Sequence, residues 1–151
     1  MKKFLQKKLK NEKGLTLVEL LAVIVILGII AAIAVPAIGG IINNSKVGAM
    51  KSDILNAVSA AELYVVDNPE AETVSLENLQ GTGTDAKNAA YISEVGGLKS
   101  FSYAVTTKLT TATATKDKIT VTATSAPKKD IVDLKNGAKT GEGTATVKVT
   151  R

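Results

Sequence analysis

The 151-residue chain contains no cysteine, no histidine and no tryptophan. Without cysteine there is no disulfide framework, no thiol nucleophile and no cysteine-based zinc site. Without histidine, the imidazole general base and the commonest zinc and haem ligand are gone. There is no Leu-Pro-x-Thr-Gly sorting signal, which disfavours covalent anchoring to a cell wall. Gly81-Thr82-Gly83-Thr84 lacks the Gly-Lys-Ser/Thr ending of a phosphate loop, so no nucleotide site is read there. No acid, base and nucleophile set converges after residue 40, so no enzyme activity is expected. No catalytic, cofactor or metal residues are assigned.

What is present is unevenly distributed. The formal net charge is +5, and residues 1–14 carry all of it. They hold Lys2, Lys3, Lys7, Lys8, Lys10 and Lys13 against Glu12. The other 137 residues balance, with 13 basic and 13 acidic groups. A pI near 9.4 would ordinarily suggest nucleic acid. Here it describes a basic head on a neutral body, and nucleic acid as a partner has no visible basic patch to support it.

Residues 15–35 form a 21-residue apolar run interrupted by one charge, Glu19. A helix of that length spans the roughly 30 Å hydrocarbon core at 1.5 Å per residue. Its apolar residues occupy every face, which excludes an amphipathic surface helix. Lysines just before it place the N-terminus in the cytoplasm and residues after about 43 outside. A secretory signal cut after Ala32-Ile33-Ala34 is one alternative. A plain single-span anchor is another. Neither explains a carboxylate that costs about 2.5–3.5 kcal/mol in a membrane helix.

The string Lys13-Gly14-Leu15-Thr16-Leu17-Val18-Glu19-Leu20 resembles the processing site of type IV prepilins and pseudopilins. The likeness continues through Gly28 and Ala31-Ala32-Ile33-Ala34-Val35-Pro36, covering about a quarter of the chain. The resemblance implies cleavage between Gly14 and Leu15 by a membrane-embedded prepilin peptidase, then methylation of the new amino group on Leu15. Leucine replaces the commoner phenylalanine at that first mature position. The resemblance also implies that Glu19 pairs with the N-terminal amine of a neighbouring subunit during assembly. Both charges are costly alone in an apolar medium, so pairing relieves part of the penalty. An internal pair from Glu19 to the Leu15 amine is the competing arrangement, since i and i+4 share a helix face. Gly28, Pro36, Gly39 and Gly40 are weak points in the helix. The family pattern implies loss of helical order between Gly28 and Pro36 in the filament; an isolated subunit would show a kink.

Val47, Met50, Ile54, Ala57, Ala61 and Tyr64 recur at helical spacing, predicting a helix over 44–66 with one core-facing stripe. Asp67-Asn68-Pro69 should end it. One helix over 15–66 would be about 78 Å long, which fits a filament spine. Residues 67–100 read as loops with a capped helical turn from Ser75 to Leu79. Asp67, Glu70 and Glu72 match no calcium-ligand pattern and read as a solvated acidic cluster. From Phe101 the period becomes two, predicting strands at 101–110, 118–125 and 143–150, with a turn at Lys116-Asp117.

The expected fold is therefore α+β. A long N-terminal helical spine, part transmembrane and part amphipathic, packs on a small antiparallel sheet, as in type IV pilins. Residues 1–14 are a cleaved leader, 15–43 the transmembrane and assembly helix, and 44–151 an extracellular head with its sheet at 101–151. The resemblance implies a membrane-anchored precursor that polymerises into a homo-oligomeric helical filament on the cell surface. It also implies prepilin peptidase, a membrane assembly platform and its ATPase as partners. The lack of cysteine and the lysine-rich leader lean toward a Gram-positive source, and the full-length head with Thr-rich outer strands leans toward a major pilin. The alternative is a pseudopilin of a competence DNA-uptake or type II secretion-like system.

Overall fold

The computed structural model describes residues 16–83, 90–136 and 147–150. Two compact units divide between Gly40 and Ile41. The first helix, α1, is Leu17–Asp67, with Pro36 inside it. Asn68 closes its C-terminus: its backbone and side-chain nitrogens both donate to the Tyr64 carbonyl, at 2.9 and 3.0 Å. Pro69 follows, where the helix could not have continued.

Within the second unit α1 is followed by β1 (Thr73–Ser75), α2 (Leu76–Leu79), β2 (Leu98–Ala104) and β3 (Leu109–Lys116). Then come β4 (Ile119–Pro127), α3 (Lys128–Asp133) and β5 (Val147–Thr150). The described strands form one antiparallel sheet in the order β1-β2-β3-β4-β5, so each strand pairs with its neighbour in sequence. The fold is α+β, a long apolar N-terminal helix with a small antiparallel sheet, as the sequence predicts.

The predicted helical stripe is the core. Val47, Met50, Ile54, Ala57, Ala61 and Tyr64 are all buried, together with Val58 and Ala60. They meet Phe101, Tyr103, Ala112, Ala114, Val121 and Ala123 in one cluster. Both sides of the cluster mix sizes: the helix brings Met50, Ile54 and Tyr64 with Ala57 and Ala61, and the sheet brings Phe101, Tyr103 and Val121 with Ala112, Ala114 and Ala123. The other sheet face carries Ser102, Thr111, Thr113 and Thr122, in line with the period of two.

Two strand boundaries differ from expectation. Residues 101–110 are not one strand: Val105–Lys108 form the turn between β2 and β3. Lys108 adopts φ 55° there. No Gly, Pro, Asn or Asp marks this turn, which is why periodicity ran through it. The stretch 67–100 also contains β1 and the start of β2. The Lys116-Asp117 turn is present, with Lys116 paired to Ile119 and Asp117 at φ 56°. The capped turn at Ser75 is present too. Ser75 Oγ accepts from the Asn78 amide, and the Asn78 side chain accepts from the Ser75 amide, a reciprocal capping box.

Register shifts mark two bulges. Between Thr110 and Ala112, β4 carries an extra residue: Thr110 faces Ala126 while Ala112 faces Ala123. Ser125 takes φ 46° and donates its amide to Thr111 Oγ1 at 3.1 Å, which re-satisfies the interrupted ladder. The hydroxyl of fully buried Thr110 has no hydrogen-bond partner among the described residues. Thr110→Val should therefore raise stability by about 1 kcal/mol, because a methyl in that place removes an unmet hydrogen bond. Denaturant unfolding of the detergent-solubilised chain checks this; a loss of stability would show that the hydroxyl is satisfied.

The helix is also tied to the connections around the sheet. Lys51 Nζ donates to the Val132 and Leu134 carbonyls at 2.9 and 3.1 Å, fixing the end of α3. Asp53 Oδ2 accepts from the Gly97 amide at 2.8 Å. Gly96 beside it has φ +55°, and a Cβ there would collide with the Asp53 carboxylate. Only glycine permits this approach.

Candidate functional site

The chemistry singled out by the sequence sits at the start of α1. Glu19 Oε2 accepts from the Thr16 backbone amide and from Thr16 Oγ1, both at 2.8 Å. Thr16 Oγ1 in turn accepts from the Glu19 amide at 3.2 Å. This is a capping box: a threonine N-cap and a glutamate three residues on satisfy each other's backbone donors. The helix thus begins where it does because Thr16 and Glu19 supply partners for amides that no earlier turn can bond. The Thr-x-x-Glu spacing signals this arrangement in the sequence. Its partner residue, Thr16, was not among the expected site residues.

Gly14 and Leu15, on either side of the expected cut, lie outside the described residues. So does the amine that would form on Leu15. Among the described residues, the contacts of Glu19 run to Thr16. One carboxylate oxygen is occupied twice, and Oε1 holds no hydrogen bond among the described residues. That oxygen is the one able to accept from a further donor without dismantling the cap.

Beyond Glu19 the helix presents large apolar side chains on every side. Ile24 is 59% exposed and Ile33 70% exposed. By length and composition α1 can cross a membrane. Gly28, Gly39 and Gly40 have open space where a Cβ would project. Their lack of a side chain is not forced by packing within the chain. The chain is helical through all three and through Pro36. Pro36 has no amide hydrogen for the Ala32 carbonyl, so one rung of the ladder is missing.

Residues 9–35 match the prokaryotic N-terminal methylation motif. The chain is also 42% identical over 60 residues to the type IV major fimbrial protein FimA of Dichelobacter nodosus, covering 40% of this chain and 38% of that one. The chain is type IV pilin-like. Type II secretion system core protein G of Pseudomonas aeruginosa is 39% identical over 59 residues, 39% of this pilin-like chain and 42% of the relative. The Escherichia coli core protein G is 35% identical over 93 residues, 59% of this chain and 63% of the relative. The matched stretch thus spans between 38% and 63% of these relatives' own lengths. No solved structure matches.

The acidic cluster of the pilin-like head lines an open groove of about 1100 Å³ at the far end of α1 from Lys46. Asp67, Glu70 and Glu72 are joined there by Glu77 from the turn capped by Ser75. Among the described residues no group of three acidic side chains is placed to hold a metal ion. Asp67 instead accepts from the Tyr91 hydroxyl at 2.7 Å, and the Tyr91 ring meets Tyr64 edge-on with centroids 5.3 Å apart. The bond to Asp67 holds the Tyr91 hydroxyl above its ordinary value of 10.0, with desolvation and the carboxylate charge adding to it. A raised folded value means stability fully present below 10.0 and lost as pH rises through the folded value. Asp67→Ala should bring the Tyr91 titration down toward the ordinary value. Ultraviolet or NMR titration of the tyrosines reads this directly, and an unmoved Tyr91 would show that Asp67 does not set it.

Proposed function

We propose that this chain is a structural subunit of a type IV pilus, without catalysis of its own. Prepilin peptidase cuts it between Gly14 and Leu15 and methylates the Leu15 amine. Its apolar helix anchors it in the cytoplasmic membrane, N-terminus inside. A membrane platform and ATPase then polymerise it through that helix into a surface filament serving adhesion or motility. The observation that carries this reading is the methylation motif over residues 9–35, with Glu19 placed at the start of an exposed apolar helix. Such a helix needs an apolar environment at every stage, first lipid and then other subunits.

A second reading is favoured by the E. coli core protein G match, whose 93 residues extend beyond the shared N-terminal helix. On that reading the chain is a pseudopilin of a type II secretion-like or competence system. The Thr-rich outer sheet face suits a filament surface exposed to solvent and supports the first.

Mass spectrometry of protein sheared from cell surfaces tests the proposal. The expected result is abundant filament protein with a methylated N-terminus at Leu15. An intact Met1, or cleavage after Ala34, overturns it. Filaments seen only on overproduction would favour the pseudopilin.

A further inference from the structure

The head has exposed lysines at one end and a carboxylate-lined groove at the other, with Lys108 of the β2–β3 turn lying beside the groove rather than in its described lining. At one end the two-residue turn between β3 and β4 projects Lys116 and Lys118, both exposed. Asp117 between them is bound by Lys46 Nζ at 2.5 Å and also feels the Lys116 charge; with Lys46 counted, one carboxylate stands against three lysines and the turn stays net positive. No described carboxylate pairs with Lys116 or Lys118. At the other end is the groove lined by Asp67, Glu70, Glu72 and Glu77, with no lysine or arginine in its described lining. Glu62, the nearest acid on α1, is already paired with Lys128 at 2.8 Å and is not part of it. The carboxylates do not converge on a metal-binding point. They are spread along the wall, which suits several separate cations on one protein surface.

The separation is fixed by one element. Lys46 touches the basic turn and Asp67 lines the acidic groove, and both lie on α1, 21 residues apart. That is about 31 Å at 1.5 Å per residue, so the patches cannot meet within one head. A patch and its complement at opposite ends of one molecule make a heterologous contact, which repeats without closing and builds an open polymer. Like ends repel, so the same charges disfavour inverted pairing.

From this polarity we infer that the acidic groove of one head receives the Lys116–Lys118 turn of a second copy of this chain. The contact sets the direction and spacing of stacked heads. It rests on the filament reading and adds to it an electrostatic contact outside the apolar helix. The pairs are solvent-accessible and individually weak; their effect comes from several acting together and from repulsion in wrong registers.

Charge reversal in the full chain, expressed with its own processing and assembly genes, tests this. K116E/K118E and E70K/E72K should each lower sheared filament yield on the order of tenfold, at unchanged subunit levels in the membrane. The four-site variant carrying both pairs restores complementarity and should recover most of the yield. Unchanged yields in both two-site variants would overturn the docking and leave the filament reading standing. A four-site variant as poor as its parents, with normal membrane levels, would also overturn it. Absence of filaments from the wild-type chain would remove both.

Discussion

Glu19→Ala is expected to leave processing after Gly14 and membrane insertion intact while lowering filament yield by at least about tenfold. The carboxylate has two roles that can be separated. One is local: it caps α1 through Thr16. The other is the expected pairing with a neighbour's amine, for which the amine on Leu15 is cationic near neutral pH. Glu19→Gln keeps an acceptor for the Thr16 amide, and glutamine serves in capping boxes, but it carries no charge. Thr16→Ala removes the hydroxyl partner and keeps the charge, at a cost of about 1 kcal/mol to the helix start. If charge pairing matters, Glu19→Gln should fail like Glu19→Ala and Thr16→Ala should assemble. The reverse pattern would assign the defect to the cap. Quantitative blotting of processed subunit in membrane and sheared fractions reads all three variants together.

Ile54→Ala should destabilise the head by about 2–5 kcal/mol. Ile54 is fully buried on the core stripe of α1. Its cluster is closely packed from the sheet side by Phe101, Tyr103, Ala112, Ala114, Val121 and Ala123, and removing the side chain leaves a cavity among them. Subunit abundance should fall with it, since an unfolded fraction raised by several kcal/mol is removed by proteases. The contrast is Leu63→Ala on the same helix, 62% exposed and expected to fall within about 0.5 kcal/mol. Equal melting of the two variants in denaturant would show that the stripe does not organise the core.

The sequence was most informative where a single physical signal decided the matter. The stripe from Val47 to Tyr64 is legible because core burial imposes helical spacing on it. Ser75 is legible because a cap needs a short polar side chain at one position. The turn at Val105–Lys108 was not legible, since lysine there takes a left-handed backbone that glycine or asparagine would have announced. β1 is three residues long, too short for periodicity to register. At the candidate site, Glu19 stood out because a charge in an apolar run is costly. Its partner Thr16 hid in plain composition, though Thr-x-x-Glu is a capping signature. The acidic groove needed tertiary information: Glu77 joins Asp67 only because α2 folds back beside the end of α1.

The order of the strands has one more consequence. At one margin of the described sheet, β1 is three residues long, while β2, β3 and β4 run from seven to nine. Unpaired edges invite foreign strands, and short ones offer few bonds to an intruder. On the proposed filament reading, a subunit waiting at high local density in the membrane would face that hazard constantly. The brief β1 margin discourages amyloid-like pairing there and would leave controlled addition of whole subunits as the favoured way for these molecules to join.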